Sequence, residues 1–234
     1  MPDQYTIRAR VLPALLVALP LGLATLAWFP DGLSGWSVLW GLAVWSGATV
    51  LLGQLGRDRG REKQSRLFDM WGGEPAVKAL RHADAGNLVV LERIHKRLNA
   101  LMRTKLPTAA QELADPRGAD DAYAGCVRFL RDKTRDRKKF NLVFEENCNY
   151  GFRRNLWGLK PLGAVVTIIA LASLAALVVI EPRILVAPGS RRVLIPGLLI
   201  FLILIGWIFV VTPRWVRIPA NAYVERLLEA TERL

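Results

Sequence analysis

The residues best equipped for chemistry lie together between Phe144 and Pro161, in the run FEENCNYGFRRNLWGLKP. Glu145, Glu146, Asn149, Arg153 and Arg154 stand there beside several aromatic residues. On a helix, Glu146 and Tyr150 share a face, as do Asn149 and Arg153. One reading is a ligand or partner site at a membrane surface, with Arg153 and Arg154 holding phosphate through forked hydrogen bonds. The other is an interfacial anchor. Trp157 then sits among headgroups, Arg153, Arg154 and Lys160 supply inside-facing charge, and the glutamates pair with them. A lipid-modifying enzyme built on Glu145, Glu146, Asn149 and Arg153 is a third, more distant reading.

Two basic stretches are further candidates. Gly56 to Arg66 reads GRDRGREKQSR, and Arg57, Arg59 and Arg61 could bind anionic lipid. A solvated helix end with snorkelling side chains explains the same residues. Residues 131–139 alternate in charge, which favours a self-paired solvated face over a phosphate patch.

The remaining reactive residue types carry no pattern. His82 and His95 have no partner at ligand spacing and read as surface or helix-face residues. Cys126 and Cys148 lack a CxxC or Cys/His arrangement and read as free cytosolic thiols. No metal or cofactor is expected. There is no serine elbow, Walker loop, HExxH or GxGxxG, so the chain is read as a non-enzyme.

The elements that must position these residues are set by hydropathy. A bilayer core of about 30 Å needs about 20 apolar residues in a helix. Four stretches qualify: Val11–Phe29, Leu33–Leu55, Leu162–Ile180 and Val193–Val211. None contains an ionisable residue. Pro30-Asp31-Gly32 predicts a tight turn between the first two. Glu181-Pro182 and Pro188-Gly189 predict one between the last two. The fold class is therefore an all-α membrane protein, with two transmembrane hairpins flanking a helical segment. A cleaved signal peptide, with Arg8 and Arg10 as its charged start, is the rejected alternative for the first span.

The net charge of +12 suits nucleic acid or anionic lipid. Topology accounts for most of it. Residues 56–161 carry 23 Lys or Arg against 14 Asp or Glu. The positive-inside rule then places this segment and both termini in the cytoplasm of a multi-pass protein, and nucleic acid is not an expected partner. Arg183, Arg191 and Arg192 in the second outer turn run against that rule. An Arg-rich composition points to a bacterial inner membrane. The organisation expected is residues 1–55, first hairpin; 56–161, basic cytoplasmic domain; 162–213, second hairpin; and 214–234, C-terminal amphipathic helix.

Within the middle, short helices are predicted after Gly72-Gly73 (Glu74 to Ala85), over Leu88–Met102, from a Thr108 cap to Ala114, and from an Asp120 or Asp121 cap to about Arg135. Asp115-Pro116-Arg117-Gly118 reads as a turn. Pro219 suits a first-turn position, and after it residues 220, 224, 227, 228, 231 (Thr) and 234 form a stripe that would pack on the middle or on another subunit. Small residues recur at Ala14, Ala18 and Gly22, at Ala43 and Gly47, and at Ala172 and Ala176. They allow close helix contact and suggest a homo-oligomer.

This order of blocks, 11–29, 33–55, 162–180 and 193–211 around residues 56–161, resembles the small four-span effectors of bacterial anti-phage systems, notably the nucleotide-signalling group. The resemblance covers the whole chain and rests on layout. It implies a cytoplasmic segment that senses a nucleotide signal or a protein partner, and spans that then disturb the membrane in antiviral defence. A non-catalytic scaffold or accessory subunit is the alternative, motivated by the uncharged spans and the amphipathic C-terminus.

Overall fold

The computed structural model describes residues 3–29, 35–186 and 190–234, with residues 35–46 described by their backbone alone. All of its regular elements are helical, and no strand occurs among the described residues. The chain divides into two compact units: residues 1–63 with 151–216, and residues 64–150 with 217–234.

The first unit holds the long apolar helices. Helix α1 (Gln4–Trp28) opens on Asp3, whose carboxylate accepts from the Tyr5 N–H, and includes a π turn at Ile7–Val11. Helix α2 (Gly35–Glu62) runs without a break through Leu55 into the basic stretch. Among the described residues, three helices are long and apolar enough to cross a bilayer, as a multi-pass membrane protein requires: Gln4–Trp28, Asn141–Ile180 and Arg191–Val210. Leu33 and Ser34 of the expected second span, and the turn Pro30-Asp31-Gly32, lie outside the described residues, as does Pro188-Gly189; the rest of that span is helical backbone within α2.

Why these helices associate is visible in their buried faces. Of the small-residue face expected in α1, Ala14 and Ala18 are buried, beside Val17, and Gly22 is half-buried. Ala24 and Ala27 meet Ala170, Leu174 and Ile200. Ala172 and Ala176, expected to share such a face, are exposed instead. So are Leu15, Leu19 and Leu26 of α1 and Ile168, Ile169, Leu198 and Phe201 elsewhere, an apolar exterior that suits lipid.

A backbone-to-backbone approach in this unit was not anticipated. A Cβ placed on Gly158 would lie 2.6 Å from the Gly60 backbone nitrogen, and one on Gly56 2.7 Å from the Leu159 side chain. The glycine pair 56/60 thus lets α2 touch the helix carrying Gly158, backbone to backbone. Residues 56–63 and 151–161, assigned from sequence to the cytoplasmic domain, pack in the unit of the apolar helices. Hydropathy marks where a span could end; it does not mark where the helix pairing ends.

The second unit is a small helical bundle. It contains α3 (Gln64–Trp71), a single turn α4 (Pro75–Lys78), α5 (Leu88–Met102), α6 (Ala109–Ala114) and α7 (Pro116–Lys133). The first residues of α8 (Asn141–Ile180) and most of α10 (Pro213–Glu229) complete it, while α9 (Arg191–Val210) belongs to the first unit. Gly72 and Gly73 join α3 to α4 at φ 77° and 128°, a left-handed course that only glycine adopts without strain. The core is Leu80, Leu98, Tyr123, Leu130, Val224 and Leu227 with their neighbours. The C-terminal stripe therefore packs on the middle segment. Leu234 alone of that stripe is exposed.

Three local expectations change. Asp115-Pro116 is not a turn: Asp115 caps α7, accepting from the Gly118 N–H at 3.0 Å, and Pro116 takes a first-turn position. Pro219, expected at a first turn, lies inside α10, which begins at Pro213. The helix expected over Glu74 to Ala85 stops at Lys78, because the N–H groups of His82 and Ala83 bind the Glu112 carboxylate at 2.8 and 3.0 Å instead of helical carbonyls. The Thr108 cap holds as expected, with a reciprocal Gln111 capping box.

Candidate functional site

The cluster at 145–157 lies on α8, and the division between units falls inside it, at Tyr150/Gly151. Glu145, Glu146 and Asn149 belong to the bundle. Each is partly buried, and the Asn149 amide donates to Glu146 at 3.2 Å. Arg153 and Arg154 belong to the apolar unit, and they diverge. The Arg153 guanidinium stacks over the Trp215 ring at 4.6 Å and donates to the Trp215 carbonyl at 2.9 Å. Arg154 is buried and donates to Asn155 Oδ1 at 3.2 and 3.3 Å. The two arginines are not brought together as one phosphate fork.

What α8 does in the apolar unit follows from proline chemistry. Proline has no N–H, so the carbonyl four residues before it loses its helical donor. Pro13 removes the donor for Ala9, and Asn155 Nδ2 supplies one at 2.6 Å. Pro219 removes the donor for Trp215, and Arg153 supplies one. Between the π turn Gly206–Val210 and Pro213 the helical ladder is interrupted. There Lys160 Nζ donates to the carbonyls of Ile208 and Val211 at 3.3 and 3.0 Å. Two faces of α8, Arg153 and Lys160 on one and Asn155 on the other, therefore hold three irregular points of the backbone. Buried carbonyls need such partners.

Arg192, the anomaly of the sequence-based topology, has the same role. It donates to the carbonyls of Ala27 and Trp28 at the C-terminus of α1. A cation there also suits the negative end of the helix dipole.

The basic stripe is mostly solvated. Arg59 and Arg61 are exposed, and Arg57 donates to Asp58 at 3.1 Å. Lys63 lies 5.7 Å from the Trp157 ring. In the 131–139 stretch Arg131 pairs with Glu74 at 2.6 Å, Arg135 with Asp132, and Arg137 stacks on Phe144 at 4.5 Å, in keeping with a self-paired face.

A polar network in the bundle escaped the sequence reading. Glu112 is buried and accepts from His82 N, Ala83 N and the Tyr123 hydroxyl, the last at 2.7 Å. His95, read as a surface or helix-face residue, lies on the buried face of α5. Its ring meets His82 edge-on at 5.0 Å, lies 5.6 Å from Tyr123, and bonds the Leu80 carbonyl at 2.9 Å. Burial lowers the His95 pKa, against the pull of the Leu80 carbonyl. Burial would raise Glu112, but its three hydrogen-bond donors outweigh that and lower it. Burial also pushes the Cys126 thiol up to about 11, which makes it inert. Among the described residues, no three His, Cys, Asp or Glu side chains are placed to hold a metal ion. The network's donors and acceptors are spent on one another and on backbone, which is the pattern of a structural staple.

No protein-family model, curated protein or solved structure matches this chain.

Proposed function

We propose that this chain is a gated membrane effector of the bacterial inner membrane. In this reading it has four spans, with Leu33–Leu55 as the second, and both termini and the basic helical unit in the cytoplasm. A nucleotide signal or a protein partner engages the cytoplasmic unit, and the spans respond by opening or disrupting the membrane as a homo-oligomer. Antiviral defence is the setting implied by the layout it shares with small four-span anti-phage effectors.

The observation that carries this reading is the triple hold by α8. Asn155, Arg153 and Lys160 secure breaks at Ala9, Trp215 and Ile208/Val211. The same helix supplies residues to the basic unit. A shift of α8 would release those points together, and a set of such points is a two-state element of the kind gating requires. The absence of ionisable groups from the four apolar stretches argues against proton-coupled transport. A dewetting gate between apolar walls needs none.

The test is membrane potential in bacteria expressing the chain and challenged with phage, read with a potential-sensitive dye. Depolarisation that depends on the chain supports the effector. Unchanged potential with the chain present in the membrane refutes it. The scaffold reading predicts instead a stable co-purifying partner and no change in potential.

A further inference from the structure

Within the apolar unit, a cleft of about 260 Å³ opens between α1, α8 and α9. Leu16, Phe152, Ile203, Trp207 and Trp215 line it, together with Gly206. Its lining is made of apolar residue types throughout. Gly206 begins the π turn, and a Cβ added there would meet nothing within 4 Å, so the missing side chain helps to keep the space open. π turns of this kind often mark functional sites.

The surroundings say what would fill it. The cleft lies where the apolar run of α9 gives way to Pro213, at the level of two tryptophans and Phe152, which is where headgroups meet acyl chains. The charge that α8 and α10 bring near the mouth is basic, and the acidic residues of α2, Asp58 and Glu62, are paired with Arg57 and Arg59. Arg153 lies stacked on Trp215, Lys160 reaches the Val211 carbonyl, and Arg214 is exposed beside Trp215. From Gly151 to Val216 the only acidic residue is Glu181, just beyond the far end of α8. Some 25 residues of helix separate it from Leu156, roughly 38 Å.

We propose that this cleft is a binding site for one anionic phospholipid. One acyl chain occupies the apolar cleft, and the phosphate faces Arg214 and the Arg153–Trp215 stack. The site rests on the chain's crossing the membrane, and not on its being gated. Phosphatidylglycerol is the appropriate probe, with phosphatidylcholine as its zwitterionic counterpart.

The experiment is native mass spectrometry of the full chain released from nanodiscs of equal phosphatidylglycerol and phosphatidylcholine. The site predicts one retained phosphatidylglycerol per chain in excess over phosphatidylcholine. Arg214→Gln, an exposed position, should cut that preference about fivefold, the worth of one interfacial cation. Gly206→Leu, which fills the cleft, should abolish retention. Equal retention of both lipids by the wild-type chain overturns the proposal. So does wild-type retention by Gly206→Leu at an unchanged melting temperature. A dimer that Gly206→Leu dissociates would make the occupant a second copy, and would equally overturn it. If Gly206→Leu does not fold, the Arg214→Gln comparison decides.

Discussion

Asn155 donates a 2.6 Å hydrogen bond to the carbonyl of Ala9, 146 residues earlier in the chain. Pro13 has removed the donor that this carbonyl would otherwise have had. The bond is buried and joins α8 to the π turn of α1. Replacing Asn155 with Ala leaves an orphaned carbonyl, at a cost of about 1–3 kcal/mol. Asn155→Asp should cost at least as much, since a carboxylate cannot donate. Denaturant unfolding in detergent gives the magnitude. Hydrogen exchange should show faster opening at residues 5–13, and equal protection there in wild type and Asn155→Ala would refute the role.

The contact between Gly60 and Gly158 admits no side chain on either. Gly158→Val should destabilise by about 1–3 kcal/mol or more, because the obstacle is backbone. Gly125 is the control. It lies within α7 with open space around its Cβ position. Gly125→Ala should stabilise by about 0.5–1 kcal/mol through helix propensity. Paired thermal melts check both signs.

Arg192 caps the last carbonyls of α1. Arg192→Gln should speed hydrogen exchange in the last turn of α1, residues 24–28, and lower the melting temperature, while Arg192→Lys should restore part of the loss. A variant with wild-type exchange would show that the two bonds to Ala27 and Trp28 contribute nothing.

The bundle should lose stability in acid in two stages. His95 has a folded pKa below its ordinary 6.5, so its contribution is complete above pH 6.5. It declines as pH falls, because the unfolded chain takes up a proton that the folded one refuses. Glu112 also has a lowered folded pKa, below its ordinary 4.5. Its contribution is complete above pH 4.5 and is lost as pH falls through the folded value. Exchange protection of α5 and α6 against pH should therefore step down first below about 6.5. His95→Phe should flatten that first step and leave the second.

Much of the bundle was legible because single-helix patterns decide it. The stripe of Leu91, Ile94 and Leu98 gave α5, the Thr108 capping box gave α6, and Ala220, Val224 and Leu227 gave the buried face of α10. The first and last apolar runs were legible from length alone. The rest depends on pairs. Gly60 is notable only because Gly158 faces it, and the break in the helix at His82 and Ala83 depends on the Glu112 carboxylate further along the chain. Arg153, with Glu145, Glu146, Asn149 and Arg154, looked like a ligand site because polar groups gathered beside a span suggest one. A better signal was present: each of Pro13 and Pro219 strands a carbonyl four residues earlier, and a nearby helix rich in Asn, Arg and Lys is what could satisfy them. Of the three residues that hold the irregular backbone, only Arg153 stood in the candidate site of Glu145, Glu146, Asn149, Arg153 and Arg154, and its donor goes to backbone.

The central claim is that release of the α8 holds opens the membrane. Proteoliposomes carrying a potassium diffusion potential test it, with wild type, Asn155→Ala and an Ala9→Cys/Gly151→Cys pair that ties α1 to α8 at a close contact. Wild type and the oxidised pair should hold the potential, while folded Asn155→Ala should collapse it. A folded Asn155→Ala chain that holds the potential as well as wild type would contradict it.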